Sequence, residues 1–461
     1  MSKIEVDTID KQSGSTLTIG GSGTTVQLGT GASQTGFGRE GSVDWQTGSI
    51  KTAATFTAAS GEGYFVDTSS NAITANLPAG SAGAIVAFSD YARNFASNNL
   101  IVTPNGTEKI GGVNASAFAN VNGQALTLVY VDATKGWINV QNAEDTEQGT
   151  VPAFIAATGG TVTTVCTNFK VHTFTGPGTF CVSNAGNAAG SDTVSYMVIA
   201  GGASGGKTDR VGGGGAGGFR ESKSPLCTYS ASPLAATGGL SVTGAIPVTV
   251  GAGGASQTSN SQKGNDGSNS IFSSITSIGG GGGGGSGTFP GTPLNGNDGG
   301  SGGGGGGSCN TDSNPFNGGT GGTGNTPPVS PPQGNNGGRG NHEPGLWAAG
   351  GGGGGAGAAG QAVIERPNPG PGASAGDGGA GVTTSINATP TARAGGGGGV
   401  GAGTADNNGG AGPGGGGAGN ASGVGGSGTA NTGGGGGGGS APSPGSGAGG
   451  SGIVIIRYRF Q

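Results

Sequence analysis

The chain has 461 residues, of which 117 are glycine, 9% are charged and 5% are aromatic, with a formal net charge of −5. Glycine has no side chain to bury and loses the most backbone entropy on ordering, so an ordinary side-chain core cannot run through the whole chain. The acidic balance, without any Lys/Arg cluster, argues against nucleic acid and anionic membrane as partners, and no apolar run approaches the roughly 20 residues of a membrane helix.

Residues 1–40 form a first segment, with short strands expected at 3–9, 15–19 and 24–28. Such strands are too small to fold alone, so the segment is expected to attach to a partner or to trimerise. Residues 1–10 lack a basic stretch followed by an apolar run, so no secretory leader is expected. Residues 41–141 are an all-β domain, a β-sandwich or barrel. Its strands are expected at 49–57, 63–67, 73–77, 84–90, 100–103, 125–131 and 136–140, separated by Asn-Gly, Gly-Gly and Pro-containing turns. Trp45, Tyr64, Phe65, Phe88, Tyr91, Tyr130 and Trp137 are expected in its core.

Residues 142–150 are an acidic linker without the aspartate spacing of a calcium loop. Residues 151–278 form the β part of a C-terminal domain, with strands at 161–166, 169–174, 178–182, 193–200, 217–222, 246–250 and 274–278. Residues 453–461 supply a closing strand. Ile453 to Ile456 is continuously apolar, as in a strand covered on both faces, and is expected to return to the sheet near residues 196–200.

Between them, residues 279–452 hold glycine blocks at 279–285, 302–307, 350–355, 395–399, 414–417 and 433–439. Their composition alone suits a disordered linker. A strict third-position glycine is missing, which excludes collagen. Blocks of similar length suit polyglycine-II helices, with about three residues per turn and every N–H and C=O pointing outward to neighbouring helices. The fold class is therefore mainly β with a polyglycine-II helical bundle, carried as a glycine-rich insertion in a C-terminal β sheet. Ala356, Val400 and Pro413, which interrupt blocks, are expected at its outer edges. The segments between blocks vary and carry turn chemistry, which makes them candidate binding loops on a regular scaffold.

Chemistry-bearing motifs are few. Cys166, Cys181, Cys227 and Cys309 form no C-x-x-C pair. The simplest reading is buried free thiols, and Cys166 and Cys181 are also placed to bridge if their strands are neighbours. His172 lies in a strand pattern, and His342 stands beside Glu343 without further ligands. Asp298, Asp312 and Asp377 have no spacing that pairs them for glycoside hydrolysis. No phosphate-binding loop motif occurs. No catalytic residue, metal or cofactor is assigned, and the chain is not expected to be an enzyme.

The ordered set Lys170-Val171-His172-Thr173-Phe174-Thr175, Gly178-Thr179-Phe180, Tyr196-Met197-Val198-Ile199-Ala200-Gly201-Gly202, Pro247-Val248-Thr249-Val250-Gly251-Ala252-Gly253-Gly254, Ser270-Ile271-Phe272 and Ile453-Val454-Ile455-Ile456-Arg457-Tyr458-Arg459 resembles glycine-rich domains of phage tail fibres. The block-and-loop pattern is also similar to tail-tip adhesins of T-even-type phages, which carry polyglycine-II sandwiches with receptor-contacting loops at the distal end. Residues 61–67 and 130–137 resemble β domains of marine-phage structural proteins.

The resemblance implies a virion-borne adhesin of the tail, assembled in the host cytoplasm and binding a bacterial cell-surface receptor (outer-membrane protein or glycan). Other virion tail proteins would be partners, and a homotrimer is expected. The alternative is a structural or decorating fibre without receptor contact. The expected binding residues are Phe289, Arg339, His342, Glu343 and Trp347. The last four lie in the segment 325–347, which Pro327, Pro328, Pro331 and Pro332 stiffen. If successive helices alternate in direction, Phe289 and Trp347 share one end and Phe316 lies at the other.

Overall fold

The computed structural model describes residues 43–141, 151–287, 295–308, 318–341, 348–364, 373–402, 408–443 and 445–461. These residues form strands and no helix, and none of the sheets closes on itself, so the chain is mainly β. Contacts divide it into two units, Met1–Thr150 and Val151–Gln461. The segment 1–40 and the linker 142–150 lie outside the described residues.

In the first unit the strands are β1 (Asp44–Trp45), β2 (Thr55–Thr57), β3 (Glu62–Val66), β4 (Ile73–Asn76), β5 (Ile85–Asp90), β6 (Leu100–Thr103), β7 (Ala117–Ala119), β8 (Ala125–Asp132) and β9 (Gly136–Asn139). They make two open sheets, β1-β3-β5-β8-β9 and β2-β4-β6-β7. The chain alternates between the sheets through β6, so β1, β3 and β5 run parallel, as do β2, β4 and β6. This is a two-layer coil closed off by antiparallel β7, β8 and β9, which decides between sandwich and barrel in favour of two open layers. Alternation explains why one face of β4 and of β6 is buried: Ile73 and Ala75 point inward from β4, and Leu100 and Val102 from β6.

Three aromatic residues expected in that core are outside it: Trp45, Tyr91 and half-buried Phe65, which lies on the face of β3 opposite to Tyr64. Trp45 is 37% exposed and Tyr91 55% exposed. Trp45 lies on a two-residue edge strand, where its ring stacks on Phe65 at 5.0 Å. Tyr91 follows the end of β5, after the inward alternation has stopped. The strand expected at 49–57 shrinks to β2.

The second unit contains β10 (Ile155–Thr158), β11 (Thr161–Val165), β12 (Phe169–Phe174), β13 (Gly178–Ala185), β14 (Thr193–Ile199), β15 (Phe219–Lys223), β16 (Ala235–Thr237), β17 (Leu240–Ser241), β18 (Gly244–Thr249), β19 (Ser270–Phe272), β20 (Ile275–Ser277), β21 (Val382–Thr384), β22 (Thr391–Arg393) and β23 (Ile453–Arg459). One sheet has the order β10-β13-β18-β19-β20, the other β11-β12-β23-β14-β15-β16. The closing strand β23 sits between β12 and β14, antiparallel to both, with Ile455 opposite Met197 and Thr173.

Its two faces serve two cores. Val454, Ile456 and Tyr458 meet Phe180, Val248 and Phe272 of the other sheet. Ile453 and Ile455 meet Met197, Phe219, Ala216, Ala356, Ala394 and the β21–β22 hairpin residues Val382 and Ile386. Buried Glu221 ties that hairpin down by accepting from the Thr384 hydroxyl (2.7 Å) and the Ser232 N–H (3.0 Å). The Arg457 guanidinium donates to the Ile386 carbonyl (3.1 Å).

The glycine segments between these strands have a different kind of order. In residues 350–356, the N–H groups of Gly350, Gly353 and Ala356 donate to Val400, Gly397 and Ala394 (3.0, 2.8 and 2.9 Å). Those of Gly351 and Gly354 donate to Gly305 and Gly302, and those of Gly352 and Gly355 to Gln361 and Ala358. Each neighbour is thus served by every third residue. Such contact needs glycine: a Cβ on Gly352 would stand 1.9 Å from the Asp377 carbonyl oxygen, and one on Gly397 2.1 Å from that of Gly436.

The network reaches back ahead of residue 279. Residues 210–218 lie at its centre, donating to 278–284, 351–354 and 433–436 and accepting from 203–206, 301–307 and 397–400. Sequence purity hides this segment, because Val211 and Ala216 interrupt it, yet both are fully buried. Ala356 and Val400, expected at outer edges, are also buried, whereas Pro413 is exposed. Both sit at block ends, where their side chains have room: Ala356 in the core beside the sheet, and Val400 near Gly438 and Val211.

Candidate functional site

One end of the glycine network rests on the sheet. There residues 218, 356 and 394 meet the core beneath β14 and β23, and the chain reverses at Gly300-Ser301 and through the β21–β22 hairpin. At the other end the network's segments open into the connections 288–294, 309–317, 342–347, 365–372 and 403–407, all outside the described residues.

The residues flanking these connections are held against one another. Gly287 pairs with Ser308 and Ala349 with Gly401. The Ser308 N–H donates to the Asn341 carbonyl (3.1 Å), and the Ala402 N–H to the Ala348 carbonyl (3.1 Å). Asn341, only 6% exposed, accepts the Ala349 N–H on Oδ1 at 2.7 Å, joining both sides of the 342–347 connection. Ile364 pairs with Ser374 across the 365–372 connection.

Beside these flanks runs a polar rim. The Lys207 ammonium donates to the Thr258 carbonyl at 2.6 Å, and the Ser256 hydroxyl to the Ser446 carbonyl at 2.6 Å. Thr208 and Arg210 take positive φ, 117° and 67°, where the chain turns into the central segment 210–218. A β-branched residue is strained there, which marks a turn held by its surroundings.

Of the expected binding residues, Arg339 is described. It is exposed on the flank of the segment 334–341, whose N–H groups at Gly337 and Gly340 donate to Gly322 and Gly319. Phe289, His342, Glu343 and Trp347 lie outside the described residues. Their described neighbours Gly287, Asn341 and Ala348 are at the end remote from the sheet. Phe316 also lies outside the described residues, and Ser308, which opens its connection, is at that same end rather than the opposite one. The reason is a reversal invisible in composition. Residues 295–300 are network rather than loop, with the Asn297 N–H donating to Gly282 (2.9 Å), and the chain turns again at Gly300-Ser301.

The segment 325–347 is likewise not one loop. Its proline-rich part turns at the sheet end, where Asn325 Oδ1 accepts the N–H groups of Val329 (3.1 Å) and Gln333 (3.2 Å). Fully buried Gln333 accepts the Ile278 N–H on Oε1 (2.9 Å), and its carbonyl accepts the Phe219 N–H (2.8 Å). The prolines therefore stiffen a turn at the base, away from Trp347's flanks.

Candidate chemistry elsewhere resolves into support. Asp298 and Asp377 each take a neighbour's backbone N–H, from Thr323 and Gly410, at 2.6 Å. Asp266 takes that of Gly282 (2.7 Å). Asx residues standing between glycines thus cap N–H groups at the network's margin, a role that the Gly-Asn-Asp-Gly and Gly-Asp-Gly steps signal only once the network is known. Asp312 lies outside the described residues.

His172 is buried between sheets. Its Nδ1 lies 2.7 Å from the Gly159 carbonyl, which can only accept, so Nδ1 carries the proton and Nε2 accepts from the Tyr458 hydroxyl at 3.1 Å. Burial pushes its pKa below the usual imidazole value and keeps it neutral. Cys227 is buried, and burial pushes its thiol up, away from the reactive thiolate. Cys166, in the turn after β11, and Cys181, on β13 of the other sheet, are exposed free thiols, which corrects the expectation of buried ones. Cys309 lies outside the described residues. Among the described residues no group of three or more His, Cys, Asp or Glu is placed to hold a metal, and no helix is long and apolar enough to cross a membrane.

The model of a family described as a glycine-rich domain matches residues 175–459. No curated protein matches the chain.

Proposed function

The chain belongs to the glycine-rich domain family, and from that premise we propose that it is a phage tail-fibre adhesin that binds a bacterial surface through loops on a glycine scaffold. The observation that carries this reading is the gathering of the flanks of five variable connections at one end of the network, remote from the sheet. A rigid scaffold with sequence-variable connections collected on one face is the usual division of labour in binding proteins.

The scaffold itself we read as a polyglycine-II bundle. What supports this is the every-third-residue hydrogen bonding, the repeat of a helix with about three residues per turn. Each central segment donates to three neighbours and accepts from three, as close lateral packing of such helices requires. The ligand is a bacterial surface protein or glycan, the remaining partners are tail proteins, and a homotrimer is the assembly we infer for the virion.

The test uses the full chain, fluorescently labelled, on intact bacteria from the host range of a phage encoding it. We expect cell decoration that falls at least tenfold in Trp347→Ala, and in a chain whose residues 342–347 are exchanged for Gly/Ser, with thermal unfolding unchanged. If wild-type chain decorates no cells, or the loop exchange leaves decoration intact, this binding face is wrong.

A further inference from the structure

The flank of the network carries a groove of about 300 Å³, lined by Ala358, Ala359 and Gln361, by residues 377–380, and by Gly410, Ala411 and Pro413. Every residue in the lining is Gly or Ala except Gln361, Asp377 and Pro413. Its floor follows the three-residue rule with one row unused. Gly376 and Gly379 donate to Gly350 and Gly353, and Gly378 and Gly381 to Gly410 and Pro413. The third row, the N–H groups of Asp377 and Ala380, meets no acceptor among the described residues.

The walls repeat this. Ala358 and Gln361 donate to Ala380 and Asp377, and Gly360 and Val363 to Asn336 and Arg339. Ala359 and Ala362 donate to no described residue, and neither does Ala411 on the opposite wall. The carbonyls of Gly378 and Ala411 likewise accept from no described residue. Three rows of unused backbone groups thus border one concave channel, with the spacing that elsewhere in the molecule is filled by another glycine segment. A Cβ on Gly410 would meet no backbone, only the Asp377 carboxylate at 3.3 Å, so no glycine segment occupies the channel there.

We propose that this groove receives an extended glycine-rich segment of a partner polypeptide, which adds one more row to the network. The occupant must supply alternating N–H and C=O groups at a three-residue repeat and must lack side chains, since the neighbouring rows meet backbone to backbone. A second copy's flank does not meet that requirement. The outer rows of this chain carry exposed Thr320, Thr323, Arg339, Gln361 and Val424, which would hold two flanks apart. The partner is therefore a different glycine run, presented as a free extended strand.

The probe is a synthetic peptide of consecutive glycines flanked by lysines, titrated into the ¹⁵N-labelled full chain. The control peptide has the same lysines, with alternate glycines replaced by valine. We expect the glycine peptide to shift the amide resonances of Asp377, Ala380 and Ala411 on binding. Ala411→Leu and Ala359→Leu, at exposed positions that fill the groove, should weaken it at least tenfold with unfolding unchanged. No binding, equal binding of both peptides, or indifference to both substitutions would overturn the proposal. Concentration-dependent self-association abolished by the same substitutions would place a second copy in the groove and overturn it equally. None of these readings depends on cell binding, so failure here leaves the receptor-binding proposal standing or falling by its own test.

Discussion

Gly352 shows what a single position in the network has to do. Its N–H donates to the Gln361 carbonyl (2.9 Å), its carbonyl accepts from Gly338 (2.7 Å), and a Cβ would stand 1.9 Å from the Asp377 oxygen. That oxygen is backbone and cannot step aside without breaking its own bond from Gln361 (2.9 Å). Gly352→Val therefore separates at least two rows, and each buried group left unpaired costs about 1–3 kcal/mol. We expect a loss of at least about 2 kcal/mol in the unfolding free energy of the second unit, and the same for Gly397→Val. Gly410→Ala is the milder comparison: its Cβ would meet no backbone, only the movable Asp377 side chain at 3.3 Å, and should cost less than about 1 kcal/mol. Denaturant unfolding of the three variants checks this, and equal stability across them would mean that the close approach is not needed. The same reasoning accounts for the non-glycine residues inside the network. Val211, Ala216, Ala356 and Val400 are buried because each stands where a core or a block end leaves a Cβ room, a property of the neighbours and not of the local sequence.

Among the elements, β23 has the largest consequence for its length. Its five large apolar residues, Ile453, Val454, Ile455, Ile456 and Tyr458, are buried, divided between the two cores on either side of the sheet. Fully burying one large apolar side chain stabilises by about 1.5–3 kcal/mol. The strand thus contributes a sum comparable to the roughly 5–15 kcal/mol total of a typical domain. Removing residues 453–461 should unfold the second unit and leave the first protected. Limited proteolysis, with fragments identified by mass, reads this directly, and a protease-resistant second unit in the truncated chain would refute it. This strand was legible in the sequence because a continuous apolar run bounded by glycine states its own burial. β4 and β6 were legible as short β-branched and apolar runs bounded by turn residues. The parallel coiling of β1 to β6 was not, since strand direction depends on which sheet each successive strand joins, and the turn residues between them do not encode that choice. The hairpin β21–β22 was missed because its strands are three residues each and sit between glycine blocks that dominate the composition.

At the scale of the whole second unit, both ends of the glycine-rich insertion are fixed to one sheet, β14 and β15 at its start and β23 at its close, while the described flanks of the variable connections collect at the far end. The sequence announced an insertion and a set of loops, but their placement followed from counting chain reversals. Two reversals were hidden: Gly300-Ser301, whose Gly and Ser do not stand out in a glycine-rich stretch, and the turn at 325–333, which merges with the next segment into one apparent loop. Which blocks are central was hidden as well, since hydrogen-bond partners three to two hundred residues apart leave no local trace. Depth in the network has a measurable consequence. Segments 210–218, 350–356 and 433–439 are enclosed by neighbours on all sides, so opening any of their N–H groups requires several rows to part. Segments 318–324, 358–363 and 408–413 lie at the margin with rows that meet no described acceptor. Native-state amide exchange should therefore grade from slow to fast across sequences of nearly identical composition, with Gly213, Gly353 and Gly436 among the slowest amides and Ala359, Ala380 and Ala411 among the fastest. Because intrinsic exchange rates of neighbouring glycines and alanines are similar, a difference of at least about a hundredfold reports partnering alone, equivalent to nearly 3 kcal/mol of protection. Uniform exchange over both sets would mean that the glycine segments do not form a layered network, and would remove the scaffold on which the binding loops are proposed to stand.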